Sequence, residues 1–181
     1  SKVISGLTNE TVYYFKVAGF DKNGYLGELS DTVSVKPTTT SSFDVRADGT
    51  GDFTNPQDAI DAAVSGDSVF IEPGTYDSLR VDGKSIQIIA GEGPTKSFID
   101  AKGKTTAVKL TGYPNQTTIS GFTIKNGVGD YNLNGKGGGI VVEPGVNASI
   151  ENCILTDNED GAMFFGDSSE VKVSNTLVFG N

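Results

Sequence analysis

Two short stretches hold side chains able to engage a ligand. Gly127-Val-Gly-Asp-Tyr-Asn-Leu-Asn-Gly-Lys136 places Asp130, Tyr131, Asn132 and Asn134 in one glycine-flanked run. An aromatic ring can stack on a sugar while carboxylate and amide groups hydrogen-bond its hydroxyls, so this run is a candidate ligand-binding loop. Asp157-Asn-Glu-Asp160 gathers three carboxylates, Asp157, Glu159 and Asp160. They suffice for a weak calcium site in an extracellular, millimolar setting, with a solvated acidic turn as the plainer alternative.

Much other chemistry is excluded by composition. The chain has 181 residues, no His, no Trp and one cysteine, Cys153. It therefore lacks the parts for a His-containing zinc site, a His-dependent triad or a disulfide framework. Cys153, with no His to activate it, reads as a small buried residue. Gly135-Lys-Gly-Gly-Gly139 lacks the phosphate-loop spacing. Asp21-Lys-Asn-Gly24 lacks the third ligand of a calcium loop and reads as a hairpin turn. After Lys136 the only basic residue is Lys172, which reads as a solvated strand lysine. No catalytic residue is assigned. A net charge of −9, from 14 basic and 23 acidic residues, is not that of a nucleic-acid binder. No stretch approaches the length of an apolar membrane span.

These residues need a scaffold, and its period is readable. Ile99, Ile124, Leu155 and Val178 recur at steps of 25, 31 and 23 residues. The pairs Ile86/Ile88, Val108/Leu110, Ile140/Val142 and Met163/Phe165 recur at 22, 32 and 23. Both rows lengthen at the same place, so about eight extra residues fall within 127–136 as a protruding loop. Steps in the low twenties, short β-alternation and Asn or Gly corners describe a solenoid whose coils bury their apolar face by stacking. Asn152 and Asn175, and Asn158 and Asn181, repeat at 23 residues and read as stacked corner residues. Before the repeats, Asn55 can cap a helix whose first residue is Pro56, with Ile60, Ala63 and Val64 on the face that plugs the solenoid end.

The charge divides the chain. Residues 1–40 carry four basic and four acidic residues, whereas 41–181 carry 10 and 19, and Pro37-Thr-Thr-Thr-Ser-Ser42 lies between. In the first part Tyr13, Phe15 and Val17 alternate, Asn23-Gly24 turns the chain, and Val33 and Val35 alternate again. The run Gly6-Leu-Thr-Asn-Glu-Thr-Val-Tyr-Tyr-Phe-Lys-Val-Ala18 resembles the last strands of a fibronectin type III domain, with Tyr13 at the tyrosine-corner position. Residues 1–36 are therefore expected to be C-terminal strands of such a β-sandwich and 37–43 a linker.

Residues 44–181 resemble the opening of right-handed parallel β-helix proteins of the pectate lyase-like superfamily. The likeness rests on Asp48-Gly-Thr-Gly-Asp-Phe53, the helix Gln57-Asp-Ala-Ile-Asp-Ala-Ala63, Gly66-Asp67 and Pro73-Gly-Thr-Tyr76, with Pro56 in place of the usual apolar residue. The implied fold class is all-β: a parallel β-helix with an N-terminal capping helix, continuing beyond residue 181. Pectin methylesterases of this superfamily carry an Asp where Ala162 stands in Ala162-Met-Phe-Phe-Gly166, so that activity is not expected. Because the fold hosts enzymes and inert adhesins alike, function must come from the site.

The expectation is a secreted or cell-surface scaffold or adhesion protein that binds polysaccharide or cell-surface glycan, with no nucleic-acid partner and no membrane span. Two alternatives stay open. One is the N-terminal part of a polysaccharide lyase or related carbohydrate-active enzyme; the other is a structural subunit that assembles with other copies or with neighbouring domains.

Overall fold

A computed structural model describes residues 4, 7–8, 11–36, 39–113, 116–130 and 135–181. The chain separates into two compact units, Ser1–Thr39 and Thr40–Asn181. The first unit pairs β1 (Tyr13–Phe15) with β2 (Val33–Val35) antiparallel, Tyr13 opposite Val35 and Phe15 opposite Val33. The Thr8 N–H donates to the Tyr13 Oη at 2.9 Å, so the ring's polar end is tied to backbone five residues upstream. Asp21 Oδ1 accepts from the N–H groups of Asn23 and Tyr25 at 2.8 and 2.9 Å, and Gly24 takes φ +85°. That carboxylate closes its own turn, as short acidic side chains do. Tyr14, Val17, Phe20, Tyr25 and Val33 are exposed, and none of the described residues in this unit is fully buried.

The second unit is mostly β, with one short helix and stacked parallel strands. It opens with β3 (Ser42–Val45), which begins inside the stretch expected to be linker, and α1 (Pro56–Ala62). Strands then follow in triplets. The first holds β4 (Ser68–Ile71), β5 (Gly74–Tyr76) and β6 (Leu79–Asp82), and the second β7 (Gln87–Ala90), β8 (Ser97–Asp100) and β9 (Val108–Thr111). The third holds β10 (Gln116–Ser120), β11 (Thr123–Lys125) and β12 (Ile140–Val142), and the fourth β13 (Asn147–Glu151), β14 (Ile154–Thr156) and β15 (Met163–Phe165). The pair β16 (Val171–Ser174) and β17 (Leu177–Val178) ends it. Corresponding strands stack into three parallel sheets, ordered β16-β13-β10-β7-β4-β3, β17-β14-β11-β8-β5 and β15-β12-β9-β6. This is a solenoid-like arrangement, each triplet one coil.

Inward rows run along the stack. Ile99, Ile124 and Leu155 pair in register in the second sheet and are fully buried, with Val178 next in line. In the third sheet Val108, Ile140 and Met163 are in register, as the sequence period requires. Their neighbour in β6, however, is Leu79, while Ile86 just precedes β7 and Ile88 belongs to the first sheet, where it stacks between Val69 and Ile119. The 22-residue step joined two different sheets because it equals an ordinary coil length.

Corners use residues that tolerate the left-handed region. Between the first and second sheets Gly121, Asn152 and Asn175 take φ of 85°, 54° and 47°, and the Asn175 amide donates to Asn152 Oδ1 at 3.4 Å. After the second sheet Asn126, Asp157 and Gly180 do the same. Next to them Asn158 is buried, its Nδ2 donating to the Ile124 carbonyl (3.1 Å) and to Asn181 Oδ1 (2.7 Å). These amides satisfy turn backbone that burial would otherwise orphan. Cys153 is buried beside Asn152, at the corner between the first and second sheets, and burial pushes its thiol pKa up, which disfavours the reactive thiolate.

The helix closes the first coil. Asn55 Oδ1 accepts from the Gln57 N–H at 2.8 Å with Pro56 at the first helical position, and Ala59, Ile60 and Ala63 are buried. Val64, expected on that face, is exposed because Ala63 is already extended (ψ 148°) and turns the chain outward. Lys84 Nζ donates to the carbonyls of Ile60 and Asp61 at 2.8 and 2.7 Å, neutralising the helix C-terminus. The Gln57 amide bonds the Arg80 backbone in both directions at 2.9 Å, completing the free edge of β6. Buried Asp67 accepts from the N–H groups of Ser41 (2.6 Å) and Val64 (2.9 Å), joining β3, the helix exit and β4.

Candidate functional site

Between β11 and β12, residues 135–139 return over the outer face of the third sheet. Alternation along β9 and β12 points Lys109, Val141 and Glu143 outward, Lys109 lying opposite Val141. Yet Val141 is fully buried, because the returning stem 135–139 lies on it. Glycine makes this approach possible: a Cβ on Gly137, which has φ +73°, would come within 2.7 Å of Phe164 Cβ and 2.8 Å of Val141 Cγ2. A Cβ on Gly127 would overlap the Gly138 carbonyl, so the two stems of the loop meet backbone to backbone. The glycine run thus serves close packing, and Lys136 lays its ammonium 5.6 Å from the Phe164 ring centroid.

Asp130 anchors the loop. Lys109 Nζ lies 2.5 Å from Asp130 Oδ2 and 3.1 Å from Glu143 Oε1, with side-chain exposures of 19%, 10% and 34%. Burial works against the lysine charge, but hydrogen bonds to Asp130 and Glu143, and their charges, outweigh it and hold its pKa above the ordinary lysine value. Asp130 and Lys136 also pair as a backbone bridge, and the Gly135 N–H donates to the Asp130 carbonyl at 2.9 Å. Tyr131, Asn132 and Asn134 lie outside the described residues.

The acidic corner faces two ways. Asp157 and Glu159 line one hollow with Lys102, Asn126, Gly127 and Val128, which brings the corner against the first stem of the loop. Asp160 turns toward the loop itself, its Oδ2 accepting from the Gly129 N–H at 3.4 Å. Among the described residues no group of three or more His, Cys, Asp or Glu side chains is close enough to hold a metal ion. Asp157, Glu159 and Asp160 therefore do not converge on one point. Lys172 is exposed on the first sheet opposite Ser149, away from the lysine–carboxylate cluster on the third.

Lys109, Glu143 and Lys102 are the residues sequence reasoning missed. Lys109 and Asp130 are 21 positions apart and meet only through the loop's return. The signal that could have found Lys109 and Glu143 is the register of β9 with β12, both residues being outward neighbours of Val141. Among the described residues no helix is long and apolar enough to cross a membrane. Neither a protein-family model nor a curated protein matches this chain.

Proposed function

We propose that this chain is a glycan-binding scaffold of an exported modular protein, in which a right-handed parallel β-helix of the pectate lyase-like kind follows fibronectin type III-like strands. The observation that carries the reading is the anchored loop. An insertion tolerated only for its length would need no cation from the sheet beneath it, whereas this one is fastened by Lys109 and Glu143 around Asp130. In sequence, Tyr131, Asn132 and Asn134 fall between the two stems joined at Asp130 and Gly135, and a loop with tethered ends has less ordering cost to meet on binding. The Tyr13–Thr8 bond supports the fibronectin-like reading, since tyrosine corners use that contact. The one-residue left-handed corners and the Asn158–Asn181 ladder support the β-helix reading.

Binding without turnover fits the cluster's chemistry. A lyase needs a base that is unprotonated at working pH, whereas Lys109 is held charged and donates hydrogen bonds. The test is electrophoretic retention in gels containing soluble polysaccharides. The intact chain is expected to be retarded by at least one of them and Tyr131→Ala to migrate freely with an unchanged melting temperature. Equal retardation of the two proteins would remove the loop from the binding site.

A further inference from the structure

Resting on that reading, we infer that the glycan lies along the corner between the second and third sheets, in a trough centred on Lys102, and that it is a linear glycan carrying no acidic groups. Three hollows of about 280, 210 and 250 Å³ follow one another there. Each is smaller than a compact ligand requires. All three share Lys102, and the first two also share Asp77, so they form one open trough. Its floor crosses successive coils at Asp77, Lys102, Asn126 and Asp157, and coils stack at about 4.8 Å, giving a run of about 14 Å. That length suits an extended oligomer and exceeds a single sugar ring.

The lining sets the ligand's charge. Asp77, Asp100, Asp157 and Glu159 contribute four carboxylates against Lys102 and Lys104. The unit around them carries the whole −9 of the chain, so a uronate or sulfated polymer is repelled. Paired carboxylates and an ammonium suit hydroxyl groups, which both donate and accept. Lys102 pairs with Asp77 and takes φ +56°, and a hydroxyl can replace either partner of that exposed pair at small cost. The hollow at the trough's far end includes Gly127 and Val128, so a bound chain reaches the first stem of the loop.

The experiment is calorimetric titration of the intact chain with cellohexaose, chitohexaose and hexagalacturonate. Lys102→Asn and Asp157→Asn serve as variants, because Asn tolerates the left-handed backbone at both positions. At least one uncharged oligosaccharide is expected to bind, hexagalacturonate at least about tenfold more weakly, and each variant to lose about tenfold in affinity, the worth of one hydrogen bond to a charged group. Melting temperatures should not move. Tighter binding of hexagalacturonate overturns the charge assignment. Unchanged affinity in both variants, with binding still lost in Tyr131→Ala, overturns the trough and leaves the glycan reading standing. Failure of all three oligosaccharides to bind overturns both.

Discussion

Replacing Lys109 with Met keeps the aliphatic stem and removes the charge that fastens the loop. Two contacts are lost, at 2.5 Å to Asp130 and 3.1 Å to Glu143. A hydrogen bond between charged groups contributes about 1.5–3 kcal/mol where water is excluded, which describes Asp130 at 10% exposure. Glu143 is about a third exposed, so its share falls toward the roughly 0–1 kcal/mol of a surface pair. The expected loss is therefore about 2–3 kcal/mol, or roughly 4–12 °C in melting temperature for a unit of this size. Thermal denaturation followed by circular dichroism measures it. A double-mutant cycle with Asp130→Ala isolates the pair, and a coupling of at least about 1 kcal/mol is expected. Hydrogen exchange should quicken at the Gly135 amide, whose bond to the Asp130 carbonyl closes the loop. A coupling below about 0.3–0.5 kcal/mol, the range of independent sites, would show that Lys109 does not hold the loop.

Two further outcomes follow from the fold. Ser97 Oγ is fully buried with no hydrogen-bond partner among the described residues, so Ser97→Ala should leave stability unchanged or raise it by about 1 kcal/mol; a clear fall in melting temperature would mean that the hydroxyl has a partner. Burial opposes ionisation of Asp100, but hydrogen bonds from the Asn126 amide and the Lys102 N–H, with the charge of Lys125, hold its pKa below the ordinary value. Because the folded value is depressed, the stability Asp100 adds is present above its unfolded pKa of about 3.9 and fades as pH falls through the folded value. The wild-type melting temperature should therefore drop more steeply below about pH 4 than that of Asp100→Asn, and parallel curves would contradict it.

The period of the solenoid was legible because inward positions admit only apolar side chains, so Ile99, Ile124, Leu155 and Val178 recur whatever the turns between them contain. The position of the loop was legible for the same reason, as residues added to one turn lengthen every row that crosses it. The first sheet was hidden. Its row, Val69, Ile88, Ile119 and Ile150, is separated by 19, 31 and 31 residues, and unequal turns on either side mask the repeat. Val64 was misplaced because helical spacing was carried one residue past the turn at Ala63. In the site, Asp130 stood out by its neighbours in sequence, but its partners did not. Lys109 and Glu143 sit among alternating strand residues, where an outward charge is ordinary until a loop covers it. The acidic corner shows the converse: Asp157, Glu159 and Asp160 stand close in sequence, yet only Asp157 and Glu159 share a hollow, while Asp160 bonds toward the loop.

The most direct measurement is hydrogen exchange on the intact chain with and without a saturating uncharged oligosaccharide. Bound ligand should protect the amides around Asp77 and Lys102, those of residues 126–130 and 135–137 and the corner at 157–160, leaving the outer strands of the first sheet unchanged. Protection confined to the first sheet, or none at concentrations where binding is seen, would contradict a glycan site built from the anchored loop and its adjoining corner.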